Sequence, residues 1–216
     1  MAQDDLPARA RARRLDTIAS VMLAAAGVAS AWATYQSSLW GGIQASGYAT
    51  ASARVTEAAR LELQAGQKAG LDTALYMAWL GAAADNDQEL MTFYERRFAP
   101  GFRPVFDAWR AQYPKDLRGQ VRTGPAVPLP RAEHPESKEA ARLRGEADDL
   151  FLQASRANSN GDRYVASTVI LALILFLLGI STVTASDRQK RLLVILAGGL
   201  GLAVLVFLLR LPVASL

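Results

Sequence analysis

The chain has 216 residues, 51% of them hydrophobic, with no cysteine, one histidine and a formal net charge of +4. The lack of cysteine excludes disulfides, thiolate nucleophiles and cysteine-held metals, and a single histidine excludes motifs such as HExxH. Residues 54–162 carry 15 Lys/Arg against 16 Asp/Glu. The basic pI of about 9.6 therefore comes from the edges of apolar blocks, where it reports membrane topology and argues against a nucleic-acid partner.

Three charge-free blocks, 17–53, 164–186 and 192–209, organise the chain. Arg9, Arg11, Arg13 and Arg14 precede the first, and Arg188, Lys190 and Arg191 separate the last two. Cations of this kind stay in cytoplasmic loops, which sets the expected layout. A cytoplasmic basic N-terminus (1–16) is followed by transmembrane helix 1 (17–40) and an external, periplasmic helical domain (41–162). Transmembrane helix 2 (163–185), a cytoplasmic turn (186–191), transmembrane helix 3 (192–211) and an external tail (212–216) complete it. The second and third blocks approach the ~20 apolar residues that cross a bilayer. Ala29, Ser30 and Ala31 resemble a signal-peptide cleavage site, but the apolar run continues past them, and an uncleaved signal anchor is expected. Trp32, Tyr35, Trp40 and Tyr164 fall at the external interface, where an aromatic belt belongs.

The first block is too long for one crossing, and its second half, "ATYQSSLWGGIQASGYATAS", is crowded with hydroxyls, amides and glycines. We read one helix that leaves the bilayer near Trp40 and runs to about Gly66. Its seam is expected at Gly41, Ala45, Tyr48, Ser52, Val55 and Ala59. The partner seam keeps a heptad through Ala140, Leu143, Ala147, Leu150, Ala154, Ala157, Gly161 and Tyr164. Tyr48, Val55, Leu143, Leu150 and Phe151 are the expected packing residues of this coiled stalk. The expected fold is thus an all-α membrane protein, three transmembrane helices with an external antiparallel helical stalk domain between spans 1 and 2.

Between the two stalk helices, "LDTALYMAWLGAAA" (71–84) is too short to span and predicts a core helix. Asp85, Asp87 and Glu89 suggest N-capping, centred on Asp85, rather than a calcium loop, since Leu90 stands where the loop needs glycine. In "FYERRFAPGFRPVFDAW" (93–109), aromatics alternate with Arg96, Arg97 and Arg103. These arginines could contact an anion or lipid headgroup. The plainer reading is a Pro-Gly corner with its rings in the core and its arginines paired with Glu95 and Asp107. Beyond Pro114 the Gly- and Pro-rich segment predicts an irregular loop containing His134.

No phosphate-cradling loop or GxSxG elbow is present, and Asp148 and Asp149, being adjacent, point apart on a helix. No catalytic, cofactor-binding or metal residues are expected, and the chain reads as a non-enzyme. Gln36, Ser37, Asn158, Asn160 and Asp162 form a candidate polar cluster at the external interface, where interhelical hydrogen bonds are their expected role. Gly27 and Ala31, Ala197 and Gly201, and Gly199 and Ala203 are each four apart, a spacing that lets helices approach closely. Membrane lipid is an expected partner, and a homo-oligomer and an unidentified membrane or periplasmic protein are the other partner classes left open.

The segments "AWATYQSSLWGG" and "FYERRFAPGFRPVFDAW", with two C-terminal spans split by a basic turn, resemble a group of bacterial three-span membrane proteins of uncharacterised function. The shared pattern is a W-x-x-Y-Q segment after the first span, here Trp32, Tyr35 and Gln36. The resemblance implies an inner-membrane location and carries no functional residues. The leading expectation is a membrane protein with an external helical interaction or scaffold module. The alternatives are a small oligomeric transporter or channel subunit, and a protein that handles anionic lipid.

Overall fold

Alanine and leucine, both strong helix formers, dominate the stretches between breaks, and every regular element among the described residues is an α-helix. The computed structural model describes residues 5–112 and 129–215, with side chains from Arg13 onward. The loop expected after Pro114 lies largely outside the described residues. The helices are α1 (Asp5–Asp85), α2 (Gln88–Glu95), α3 (Arg103–Gln112), α4 (Pro135–Val183) and α5 (Asp187–Leu209).

Two compact units divide the chain, one formed by Met1–Ala49 and Leu150–Leu216, the other by Thr50–Asp149. In the first unit, α1 buries Ala19, Ala26 and Ala33, one alanine every seven residues. Facing them are Tyr164, Leu171 and Leu178 of α4, also seven apart, with Val194, Ala197 and Val204 of α5. Small residues on one helix against large ones on another let the axes come close. At Gly47 the approach is tightest, since a Cβ there would stand 3.0 Å from that of Ala154.

The outward side chains of this unit are the reverse of a soluble bundle. Val28, Val169, Phe176, Val183, Ile195 and Leu202 are all more than 60% exposed. Water would not tolerate that surface, whereas hydrocarbon does. Among the described residues, three helices are long and apolar enough to cross a membrane, with mean hydropathies of 1.5, 2.4 and 2.9 over their best windows. The chain is a membrane protein. Its buried polar side chains are satisfied locally: Ser167 Oγ donates to the Arg163 carbonyl and Ser181 Oγ to that of Leu178. Lys190, almost fully buried, pairs with Asp16.

In the second unit, α1 continues the seven-residue rule through Ala51, Ala58, Ala65, Asp72 and Trp79. Ala58 packs with Ala140 and Leu143 of α4. Ion pairs Arg54–Glu146 (3.7 Å), Glu62–Arg144 (2.5 Å) and Lys68–Glu136 flank the contact. As the α1 number rises the α4 number falls, so the two helices run antiparallel here.

Beyond Trp79, the aromatic residues close the unit. Tyr76 and Trp79 of α1 gather Phe98 and Phe102 of the α2–α3 corner and Phe106 and Trp109 of α3. Trp79 meets Phe106 edge-on at 4.9 Å, and Tyr76 meets Trp109 edge-on at 5.1 Å, the arrangement that ring quadrupoles favour.

Several expectations change here. The helix begun in the first apolar block does not stop at Gly66, and 71–84 is no separate helix; α1 is continuous through Asp85. Gly66 and Gly70 sit on its exposed side, where glycine costs about 1 kcal/mol each against alanine. Burial of Ala65, Tyr76 and Trp79 on the other side offsets that cost. The helix ends where Asn86 adopts a left-handed φ of 59°, a conformation that a short polar side chain tolerates. The N-cap of α2 is Asp87, accepting from the Leu90 amide at 2.9 Å, not Asp85, which is the last residue of α1.

Candidate functional site

The seven-residue rule explains one unexpected feature of the second unit. Each buried position on this face of α1 is apolar except Asp72, whose side chain is only 7% exposed. Across from it stands His134, the single histidine, carried on the extended segment just before α4 and 13% exposed. Asp72 Oδ2 and His134 Nε2 lie 3.4 Å apart, yet neither atom makes a hydrogen bond. Burial raises the Asp72 carboxyl above its ordinary range, and the attraction of His134 opposes the shift.

These groups line a pocket of about 360 Å³ with Thr73, Phe102, Pro130 and Arg131. Glu136, in the first turn of α4, is held below the usual carboxylate range chiefly by its bond to Lys68. The pocket offers an acceptor on Asp72 and an imidazole nitrogen side by side, so a proton can be held there or a small polar group received. Among the described residues, no three His, Cys, Asp or Glu side chains converge as a metal ion requires.

Among the described residues, the opposite side of the same helix is apolar and exposed. Leu63, Leu71 and Met77 are 64%, 67% and 56% exposed. With Gly70, Ala74 and Gly81 they form a row at helical spacing, and no neighbouring atom lies within 4 Å of where a Cβ would stand at Gly70 or Gly81.

The candidate residues read from the sequence are dispersed. Arg97 lies over the Phe93 ring, 3.4 Å from its centroid, and donates to the Phe93 carbonyl. Arg103 donates to the Glu95 carbonyl and stands 3.9 Å from Asp107. Arg96 is the exposed C-cap of α2. The carboxylate of Glu95 binds Arg110 at 2.5 Å and the Trp79 indole at 3.0 Å, so the pair with Asp107 is the expected one, while Glu95 takes an arginine outside the expected trio.

The polar cluster separates in a different way. Gln36 is 1% exposed and lies within α1. Its Oε1 accepts from the Ala214 amide at 2.9 Å and its Nε2 donates to the Ala214 carbonyl at 3.4 Å. This two-way contact is that of one backbone unit with another. Trp40 Nε1 and the Tyr164 hydroxyl each donate to the Pro212 carbonyl at 3.2 Å. Two members of the expected aromatic belt thus point inward to hold segment 211–215, while Trp32 and Tyr35 remain 47% exposed. Ser37 is half-buried; its carbonyl lies 3.7 Å from where a Cβ at Gly161 would stand. Asn158 donates to Asp162 at 3.2 Å, and Asn160 is half-buried on α4.

Of the packing residues, Leu143 is buried, Leu150 half-buried, and Tyr48 meets Phe151 at 5.8 Å. Val55 is 42% exposed. The seam of α1 passes through Ala51, Ala58 and Ala65, in place of the expected Ser52, Val55 and Ala59. The heptad expected on α4 coincides with its buried positions, apart from the half-buried Leu150. Asp72 and His134 are the residues that sequence reasoning missed. With the α1 seam in its observed register, a lone carboxylate at a core position would have pointed to them. The chain matches no protein-family model, no curated protein and no solved structure.

Proposed function

We propose that the chain is a non-enzymatic three-span protein of the bacterial inner membrane whose Thr50–Asp149 unit is an external helical interaction module. The N-terminus is cytoplasmic and the module periplasmic, an orientation supported by the arginines that flank the apolar blocks. The observation that carries the interaction reading is the exposed row of Leu63, Leu71 and Met77. It belongs to a unit whose α1–α4 contact is flanked by ion pairs, and an exposed apolar row of that kind marks a contact site. Occupation of Gln36 by the Ala214 backbone favours this reading over transport, because the most deeply buried amide of the polar cluster already has its partners.

The test is a photo-crosslinking side chain placed at Leu71 in the protein's own membrane. A single discrete adduct, lost when Met77→Glu is added, is the expected result. Crosslinking to lipid alone, or a ladder of unrelated adducts indifferent to Met77→Glu, would sink the proposal.

A further inference from the structure

In the first unit, α1 and α5 leave an open apolar groove of about 320 Å³. Met22, Ala25 and Ala29 form one wall and Gly198, Gly201 and Leu205 the other, with Leu171 and Ile174 of α4 at its base. The α1 and α5 sides run in the same direction: Asp16 pairs with Lys190, Met22 lies beside Gly198, and Gln36 binds Ala214.

The shape selects the occupant. Ala197 to Leu208 span about 16 Å at the helical rise, and every residue lining the groove is apolar. An extended hydrocarbon chain can lie along such a groove, whereas a helix about 10 Å across would rest on the rims.

Charge supplies the second argument. Following the groove towards Asp16, the α1 wall continues from Met22 through Ile18 to Arg14, in steps of four. The α5 wall continues from Gly198 through Val194 to Arg191, in steps of four and three. Two guanidinium groups therefore lie on the groove's own stripes, about 10–12 Å beyond its end. Arg13 and Arg188 stand beside them. The carboxylate of Asp16 is taken by Lys190, and among the described residues neither Arg14 nor Arg191 forms an ion pair. A basic cluster at the interface end of an apolar cleft between spans is the arrangement that binds an anionic headgroup.

We propose that this groove holds one acyl chain of an anionic phospholipid, with its phosphate on Arg14 and Arg191. The proposal rests on the membrane location of the three helices and is independent of the interaction face on α1. The test is native mass spectrometry of the delipidated full chain titrated with dioleoyl phosphatidylglycerol or dioleoyl phosphatidylcholine. One tightly held phosphatidylglycerol is expected, preferred about tenfold or more over the zwitterionic lipid. Arg14→Gln with Arg191→Gln should abolish the preference. Gly201→Leu should abolish the bound lipid altogether, and a Cβ at Gly201 has no neighbour within 4 Å, so helicity by circular dichroism should stay unchanged. Equal retention of the two lipids, or unaltered binding in Gly201→Leu, would overturn the assignment. So would a lipid-free homodimer that Gly201→Leu dissociates.

Discussion

The two units use the same inner rule and opposite outer ones. In each, α1 turns an alanine inward every seven residues: Ala19, Ala26 and Ala33 in one, Ala51, Ala58 and Ala65 in the other. Around the first set the outward residues are Val28, Val169 and Ile195; around the second they are ion pairs such as Glu62–Arg144. Close approach of backbones is thus solved once, and the solvent is chosen by the other faces. Their polar interiors differ too. Gln36, Ser167 and Ser181 all find backbone partners, as hydrocarbon demands. Asp72 Oδ2 does not, and faces His134 Nε2 at 3.4 Å instead.

The comparison is easiest to break at the shared seam. Ala58→Leu forces three extra carbons between α1 and α4, where Ala58 is fully buried. Such overpacking should cost about 1–3 kcal/mol. Val55→Leu, one turn away on an exposed site, should change stability by less than about 0.5 kcal/mol. Chemical denaturation followed by near-ultraviolet circular dichroism of the Trp79–Trp109 cluster reads the difference. Equal effects at the two positions would refute the observed register.

A smaller effect is expected from Gln36→Leu. Loss of the carboxamide leaves the Ala214 amide without its acceptor, worth about 1–1.5 kcal/mol. Hydrogen exchange at Ala214 should accelerate about tenfold, with exchange in the Thr50–Asp149 unit unaltered. An unchanged rate would mean that the segment after α5 is held by other contacts.

The smallest and most condition-dependent effect concerns Asp72→Asn. Because burial raises the Asp72 carboxyl, its contribution to stability is greatest below its ordinary value and is lost as pH rises through the raised one. The melting temperature of the wild type should therefore fall relative to Asp72→Asn over the interval just above pH 4. Parallel melting profiles from pH 4 to 8 would show that the carboxylate is solvated after all.

How much of this was readable in the sequence depended on contrast. The seam of α4 was legible because Leu143 and Tyr164 stand out between charged neighbours such as Arg142 and Arg163. The seam of α1 was not. Over 41–59 most residues are Gly, Ala, Ser or Thr, so several three-four registers fit equally well, and the choice falls to what packs opposite. The aromatic corner at 93–109 was legible as a core, since six rings within 17 residues have few other places to go. The Asp72–His134 pair and the Gln36–Ala214 contact escaped for another reason. Each joins residues far apart in the chain, 62 and 178 positions, and no local pattern announces such a meeting.

The contact between Gln36 and Ala214 also bears on how the molecule is made. The first span reaches the membrane long before residue 214 has been synthesised, and until then its carboxamide has neither the donor nor the acceptor it ends with. An unpaired amide at membrane depth costs several kcal/mol in hydrocarbon. During biosynthesis the first helix must therefore linger beside water, a translocation channel or another chain. Only when segment 211–215 arrives can it settle, so the packing of the first helix waits on the residues that follow the last one.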